Sequence, residues 1–207
     1  MPLPPDVPSP TDLRSQQDAR EWEQTAMKKR PWRIELFELI TRRLAAHAQG
    51  QARVLELGAG PGFLAYYVLS TVQTLPHYVL LDYSPAMRSL ALERLGPLAS
   101  RASFLERDFK QPGWTEGLGP FDAVVTVQAV HELRHKRHAT QLHAQVRSIL
   151  APHGLYLMCD HHTGPGGMQN QELYMSLREQ EESLFTAGFG QVELLAERSG
   201  LALHLAR

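Results

Sequence analysis

After residue 50 the chain alternates short apolar runs with amphipathic segments. Val54-Leu55-Glu56-Leu57, Tyr78-Val79-Leu80-Leu81, residues 102–105, Ala123-Val124-Val125-Thr126-Val127 and residues 155–158 are each too short for a helix. They predict buried strands, the fourth most clearly because it is rich in β-branched residues. Helices are predicted over 63–72, from Ser84-Pro85 through Arg94, and over the segment carrying Leu142, Val146, Ile149 and Leu150 on one side. Ser84 supplies a capping oxygen and Pro85 suits a first turn, where its missing N–H costs nothing. Pro152 and Gly154 are expected to stop the helix before them. Beyond Gly164-Pro165-Gly166-Gly167 a helix is predicted over 169–187. Residues 192–195 and 201–205 then flank Arg198-Ser199-Gly200 as a hairpin.

The first 50 residues have a different character. Five prolines among the first ten predict an extended, disordered tail over 1–12. A helix follows over 12–29, and Pro31 opens a second one with Leu36, Phe37, Ile40 and Leu44 at helical spacing. The expected organisation is thus a tail (1–12), an N-terminal helical cap (13–48) and an α/β core (49–207). Strands alternating with helices imply a parallel sheet covered on both faces. Such sheets bind ligands beyond the carboxyl ends of their strands, at the switch point beside the first strand.

Composition narrows the class. With 207 residues, 43% hydrophobic and 21% charged, the chain can bury a sizeable single core. A net charge of −1 argues against a dedicated binder of nucleic acid or anionic membrane. The single cysteine, Cys159, excludes an internal disulfide framework and any multi-cysteine zinc site. The start lacks the cationic and apolar regions of a signal peptide, and no run approaches the ~20 apolar residues that span a bilayer. These features predict a soluble cytoplasmic protein, monomeric or homodimeric, with a small-molecule partner and neither nucleic acid nor membrane.

The strand at 54–57 runs into Gly58-Ala59-Gly60-Pro61-Gly62-Phe63. Glycines there let the backbone turn sharply and let a ligand approach without a Cβ in the way. A dinucleotide loop, G-x-G-x-x-G, would need its third glycine where Phe63 stands. Instead the glycines alternate at 58, 60 and 62 behind Glu56. This run resembles motif I (E/D-x-G-x-G-x-G) of the class I S-adenosylmethionine-dependent methyltransferases. Asp82-Tyr83-Ser84-Pro85-Ala86-Met87 resembles the family's D-x-S-x-x-M segment, with Asp82 lying 20 residues after Gly62. Asp108-Phe109, Phe121-Asp122-Ala123-Val124-Val125 and Ala187-Gly188-Phe189 are similar to later segments of the same family, so the resemblance covers residues 34–206. It implies a Rossmann-like sandwich: a mostly parallel seven-stranded sheet with helices on both faces and a C-terminal antiparallel hairpin. It also implies S-adenosylmethionine as cofactor, held by Glu56, Gly58, Ala59, Gly60, Gly62, Asp82, Tyr83, Met87, Asp108, Phe109 and Gln128. In that reading Asp82 takes the ribose hydroxyls, Asp108 the adenine amino group, and Glu56 the charged methionine end.

Methyl transfer is an in-line displacement, for which the protein aligns the acceptor and excludes water. A base is needed only where the acceptor must lose a proton. Val130-His131-Glu132-Leu133 is similar to the H-D-W segment of plant-type small-molecule O-methyltransferases, which makes His131 the candidate base, with Leu133 departing from the pattern. An imidazole suits that task because its pKa lies near neutrality. Asp160-His161-His162 is a second candidate cluster, otherwise a solvated loop, and His135, His138 and His143 read as a solvated face beside Lys136 and Arg137. The basic run Lys28-Lys29-Arg30 likewise reads as solvated. The expected activity is methyl transfer to oxygen or nitrogen of a small molecule. A protein-directed methyltransferase, a non-catalytic cofactor binder and an NAD-dependent oxidoreductase are the competing classes. His131-Glu132-Leu133-Arg134-His135 also spells the helical zinc motif H-E-x-x-H, but it follows a strand rather than sitting within a helix, so no metal is expected.

Overall fold

The computed structural model describes residues 5–47, 52–75 and 77–207. Two N-terminal helices, α1 (Gln16–Lys29) and α2 (Arg33–His47), lead into β1 (Arg53–Leu57), α3 (Phe63–Thr71), β2 (His77–Asp82), α4 (Pro85–Leu95) and β3 (Ala102–Glu106). The second half runs through β4 (Phe121–Val127), α5 (Ala139–Ser148), β5 (Leu150–Thr163), β6 (Met175–Ser176), α6 (Leu177–Thr186), β7 (Val192–Arg198) and β8 (Leu201–Ala206). The sheet order is β3-β2-β1-β4-β5-β8-β7, with the two-residue β6 pairing β5 off this path. Strands β1 to β5 are parallel, while β8 is antiparallel to both β5 and β7. This is the mostly parallel sheet with a C-terminal antiparallel pair that the pattern predicts.

Period-two alternation assigns each strand residue to one of two cores. Val54, Tyr78, Leu80, Val125 and Leu157 face the layer that holds α2 and α3. Leu55, Leu81, Val124, Tyr156 and Met158 face the layer that holds α5 and α6. Burial on both faces explains why these strands read as continuous apolar runs. The sheet starts at its centre with β1, winds outward to β3, and returns to β4 on the other side of β1. The switch point therefore lies between the carboxyl ends of β1 and β4, where Gly58–Gly62 and Gln128–His131 emerge.

Several boundaries differ from the sequence reading. Helix α1 starts at Gln16 rather than residue 12 because Ser15 caps it, accepting from the Asp18 N–H. Helix α5 ends at Ser148, and Leu150 already belongs to β5, opposite Phe121. Pro152 and Gly154 therefore sit inside the strand, at an irregularity where His153 takes φ +65°. The predicted helix over 169–187 shrinks to α6. Asn170 Oδ1 instead accepts from the Glu172 and Leu173 N–H groups and holds a turn. A full capping box at Ser176 and Glu179 then starts the helix late. Residues 1–4 of the tail lie outside the described residues, and no described helix is long and apolar enough to cross a membrane.

Candidate active site

The switch point opens into a cavity of about 400 Å³. Glu56, Gly58, Ala59, Gly60, Asp82, Tyr83, Met87, Asp108, Phe109, Gln128 and His131 all line it, and Gly62 does not. All three alternating glycines take left-handed φ values, +69°, +54° and +73°. A Cβ on Gly58 would lie 2.4 Å from that of Ala129, and one on Gly62 would lie 3.1 Å from that of Ala91. A Cβ on Gly60 would meet no protein atom within 4 Å. Gly58 and Gly62 are thus required by close packing, while Gly60 keeps its side open to the cavity.

The loop's donors separate two ligand chemistries. Gly58 and Ala59 N–H both donate to the Leu81 carbonyl, at 2.8 and 3.1 Å. Gly60 N–H donates to Asp82 Oδ2 at 2.8 Å, and Gly62 N–H to the Ala59 carbonyl at 3.1 Å. Pro61 has no N–H. A diphosphate cradle needs such groups free and aimed at the anion, and here the loop has spent them internally. An acid-lined glycine turn of this kind fits a cationic ligand better.

Glu56 shares the α2 face with Val54 and is 3% exposed. Burial pushes its carboxyl up to about 8, although the Tyr78 hydroxyl donates to Oε2 at 2.8 Å and opposes the shift. Asp82 is also raised, chiefly by burial, while N–H groups of Ser84 and Gly60 support its charge. Both carboxyls would be stabilised as anions by a ligand that brings positive charge. Asp108 lies two residues beyond the end of β3, and its Oδ1 accepts from the Lys110 N–H. Tyr83 and Phe109 stand on the same wall, with Met87 almost fully buried beneath.

Across the cleft, His131 and Asp160 form a buried pair. The His131 N–H donates to Asp160 Oδ2 at 2.8 Å, and ring Nδ1 lies 2.6 Å from Oδ1. The His161 N–H donates to the same Oδ1 at 2.6 Å. Burial disfavours charge on both side chains, yet their mutual attraction wins, holding Asp160 below the usual carboxylate range. His131 is raised to about 9, with help from Glu132, whose Oε1 is 3.4 Å from Nε2. His161 behaves oppositely. Burial and the His131 charge lower it to about 4, so it is neutral beside its charged neighbour. Its Nε2 lies 2.7 Å from Gln128 Nε2, and Gln128 itself holds a left-handed φ of +55° at the end of β4. Tyr174 packs against both imidazoles, with ring centroids 5.5 and 5.6 Å away.

Two expectations change here. Asp160, His161 and His162 are not on a solvated loop; they are buried members of β5, which extends to Thr163. Of the three, His161 lines the cavity and Asp160 acts behind His131, while His162 turns to Thr163 and Glu197. His143 is fully buried against Tyr156 rather than on a solvated face. The H-E-x-x-H segment is not helical across its length: a 3-10 turn ends at Leu133, Arg134 takes φ +67° and His135 is extended. Among the described residues no group of three or more metal-ligating side chains is gathered.

Motif reading also missed part of the wall. Residues 9–11 and Leu13 cross the cavity, pinned on one side where Val7 N–H donates to the Arg134 carbonyl at 2.8 Å. The Arg134 guanidinium returns bonds to the Val7 and Pro8 carbonyls, and Ser84 Oγ holds the Leu13 carbonyl at 2.5 Å. Arg30, Arg33, Leu173 and Tyr174 complete the enclosure. None of these carries a motif; tertiary packing alone brings them in.

Residues 54–154 match the family model for a methyltransferase domain. Among curated proteins, the non-reducing polyketide synthase SAT8 of Stachybotrys chartarum is 28% identical over 127 residues, covering 60% of this chain and 5% of that protein. The chain therefore spans a small fraction of that relative's length. Among solved structures, the DhpI complex with SAH superposes with a TM-score of 0.72 at 20% identity, covering 93% of this chain and 92% of DhpI. The CurJ carbon methyltransferase superposes with a TM-score of 0.63 at 20% identity, covering 77% of this chain and 48% of CurJ. At these identities the superpositions establish the fold.

Proposed function

We propose that this chain, whose residues 54–154 match a methyltransferase domain, is a class I S-adenosylmethionine-dependent methyltransferase that moves a methyl group to a small-molecule acceptor that must first give up a proton. The observation that carries this reading is the buried His131–Asp160 pair on the wall of the acid-lined cavity. S-adenosylmethionine, when bound, supplies a methyl group activated by its sulfonium. Glu56 and Asp82 supply negative charge for its cationic methionine end and for its ribose hydroxyls. Gly60 leaves room for the ligand's approach, and Tyr83, Met87 and Phe109 offer an apolar wall for the adenine, with Asp108 at its edge.

His131 handles the proton. Its Nδ1 is committed to Asp160, so Nε2 is the ring atom that takes the acceptor's proton. Asp160 fixes the tautomer and stabilises the imidazolium that forms. Residues 9–11, Leu13 and Tyr174 cover part of the cavity and limit its contact with water, which strengthens these charge interactions. A hydroxyl acceptor meets this geometry best, and an N–H acceptor meets it too. The relationship to polyketide synthases and the fold likeness to a carbon methyltransferase support a second reading, in which the proton leaves a carbon acidified by neighbouring carbonyls.

Calorimetry with S-adenosylmethionine and S-adenosylhomocysteine tests the cofactor, and folded protein that binds neither refutes the proposal. Incubating the protein with methyl-labelled cofactor and a metabolite pool tests the acceptor class. Label is expected in small molecules, and label confined to protein would point to a protein-directed enzyme instead.

A further inference from the structure

The turn between α1 and α2 puts two guanidinium groups into the cavity wall. Arg30 is the C-cap of α1, Arg33 opens α2, and the Arg33 N–H donates to the Arg30 carbonyl at 3.1 Å. Both side chains line the cavity. Arg33 is 3% exposed, and its Nε has no hydrogen-bond partner. Among the described residues no carboxylate pairs with either arginine. The Trp22 ring, 5.9 Å from the Arg33 Cζ, supports the flat face of the guanidinium but supplies no counter-charge.

Such an arrangement is costly on its own, because a buried cation without a partner loses its hydration and regains little. Burial, followed by the like charge of Arg30, lowers Arg33 to about 10, which still leaves it charged at neutral pH. The acids that line the cavity have other partners: Asp108 accepts from the Lys110 N–H, and Glu132 lies against His131 and Arg134. Glu56 accepts from Tyr78 and Asp82 from Gly60 and Ser84, while Asp160, behind the wall, is paired with His131. Arg30 and Arg33 line the same cavity as His161 and Tyr174. Convergent, unbalanced guanidinium groups suit a bidentate oxyanion arriving from outside the chain.

We infer that Arg33, with Arg30, forms a subsite for a carboxylate-type oxyanion on a ligand seated in this cavity. The inference rests on the methyl-transfer reading, and two ligands can bring the anion: the amino-acid end of the cofactor or an acidic acceptor. Both would place the oxyanion beside the guanidinium forks, with Trp22 holding Arg33 in position.

The test compares three probes by calorimetry on wild type, Arg33→Gln, Arg33→Lys and Arg30→Gln. S-adenosylhomocysteine carries the carboxylate, 5′-methylthioadenosine has the same nucleoside without it, and 4-hydroxybenzoate presents an acidic acceptor to protein saturated with S-adenosylhomocysteine. Methylthioadenosine affinity is expected to stay within about twofold in every variant, which also reports an intact cavity. Arg33→Gln is expected to lose about tenfold or more toward one carboxylate probe, with Arg33→Lys recovering part and Arg30→Gln losing less. Loss toward S-adenosylhomocysteine assigns the anion to the cofactor; loss toward the benzoate alone assigns it to the acceptor. Arg33→Gln that binds both carboxylate probes as wild type does overturns the subsite, and if that variant loses methylthioadenosine, Arg33→Lys decides by the same comparison. Wild type that binds neither nucleoside refutes the methyl-transfer reading instead.

Discussion

His131 and Asp160 are joined twice, once through the His131 backbone N–H at 2.8 Å and once through ring Nδ1 at 2.6 Å. The double link fixes the position and the tautomer of the imidazole together. It also raises the imidazole to about 9, so the ligand-free protein holds a proton there at neutral pH. Turnover is therefore expected to rise with pH from neutrality toward that value. In Asp160→Asn the larger attraction that raises His131 is gone, and only Glu132 is left to oppose the lowering by burial. The rising limb should move to lower pH while the maximal rate falls. A pH–rate profile of both proteins checks this, and an unshifted limb removes the pair from the mechanism.

Glu56 gives a thermodynamic signature of cofactor binding. Its carboxyl is raised to about 8 by burial, so it is mostly protonated at pH 7. A ligand with an ammonium and a sulfonium favours the ionised form, and binding should release close to one proton. Calorimetry in buffers of different ionisation enthalpy measures that release. Glu56→Gln should abolish it and weaken binding.

Asp82 accepts from two backbone donors and faces the cavity. Asp82→Ala should weaken cofactor binding by about 1–3 kcal/mol, because a charged acceptor for the ribose hydroxyls is lost. Titration of S-adenosylhomocysteine against both proteins gives the difference directly.

The glycines of the loop should respond differently to one methyl group. Gly58→Ala meets the Ala129 Cβ at 2.4 Å and also bears left-handed strain. A loss of about 2–4 kcal/mol in folding stability is expected. Gly60→Ala meets nothing in the protein, so only the backbone cost of about 1–2 kcal/mol applies, while ligand affinity falls. Urea melts paired with binding titrations separate the two.

Folding stability should peak near pH 6.5. Above it Glu56, raised from 4.5 to about 8, continues to lose stabilisation, and so does His131, raised from 6.5 to about 9. Below it His143, His161 and His204, lowered from 6.5 to about 3, 4 and 4 mainly by burial, must take up protons that the unfolded chain already holds. Three histidines outweigh the opposite slope of Glu56 between pH 6.5 and 4.5, so stability should fall steeply there. Urea midpoints at pH 5, 6.5 and 8.5 check the sign on both sides.

The sequence by itself determined the strand–helix alternation, the glycine turn and the acids at the ends of β1 and β2. These are local: an apolar run, a left-handed turn and a strand-end carboxylate are each written within a few consecutive residues. Even the late start of α6 is legible in Ser176-Leu177-Arg178-Glu179, a capping box that the helical pattern around it conceals. Only the tertiary structure decided that Asp160 lies behind His131, 29 residues away, and that His161 is neutral beside it. It likewise decided that Arg33, placed on an apolar helix stripe, points an unpaired charge into the cavity. Burial and proximity set these charge states, and both are properties of the assembled sheet and its covering helices rather than of any segment read alone.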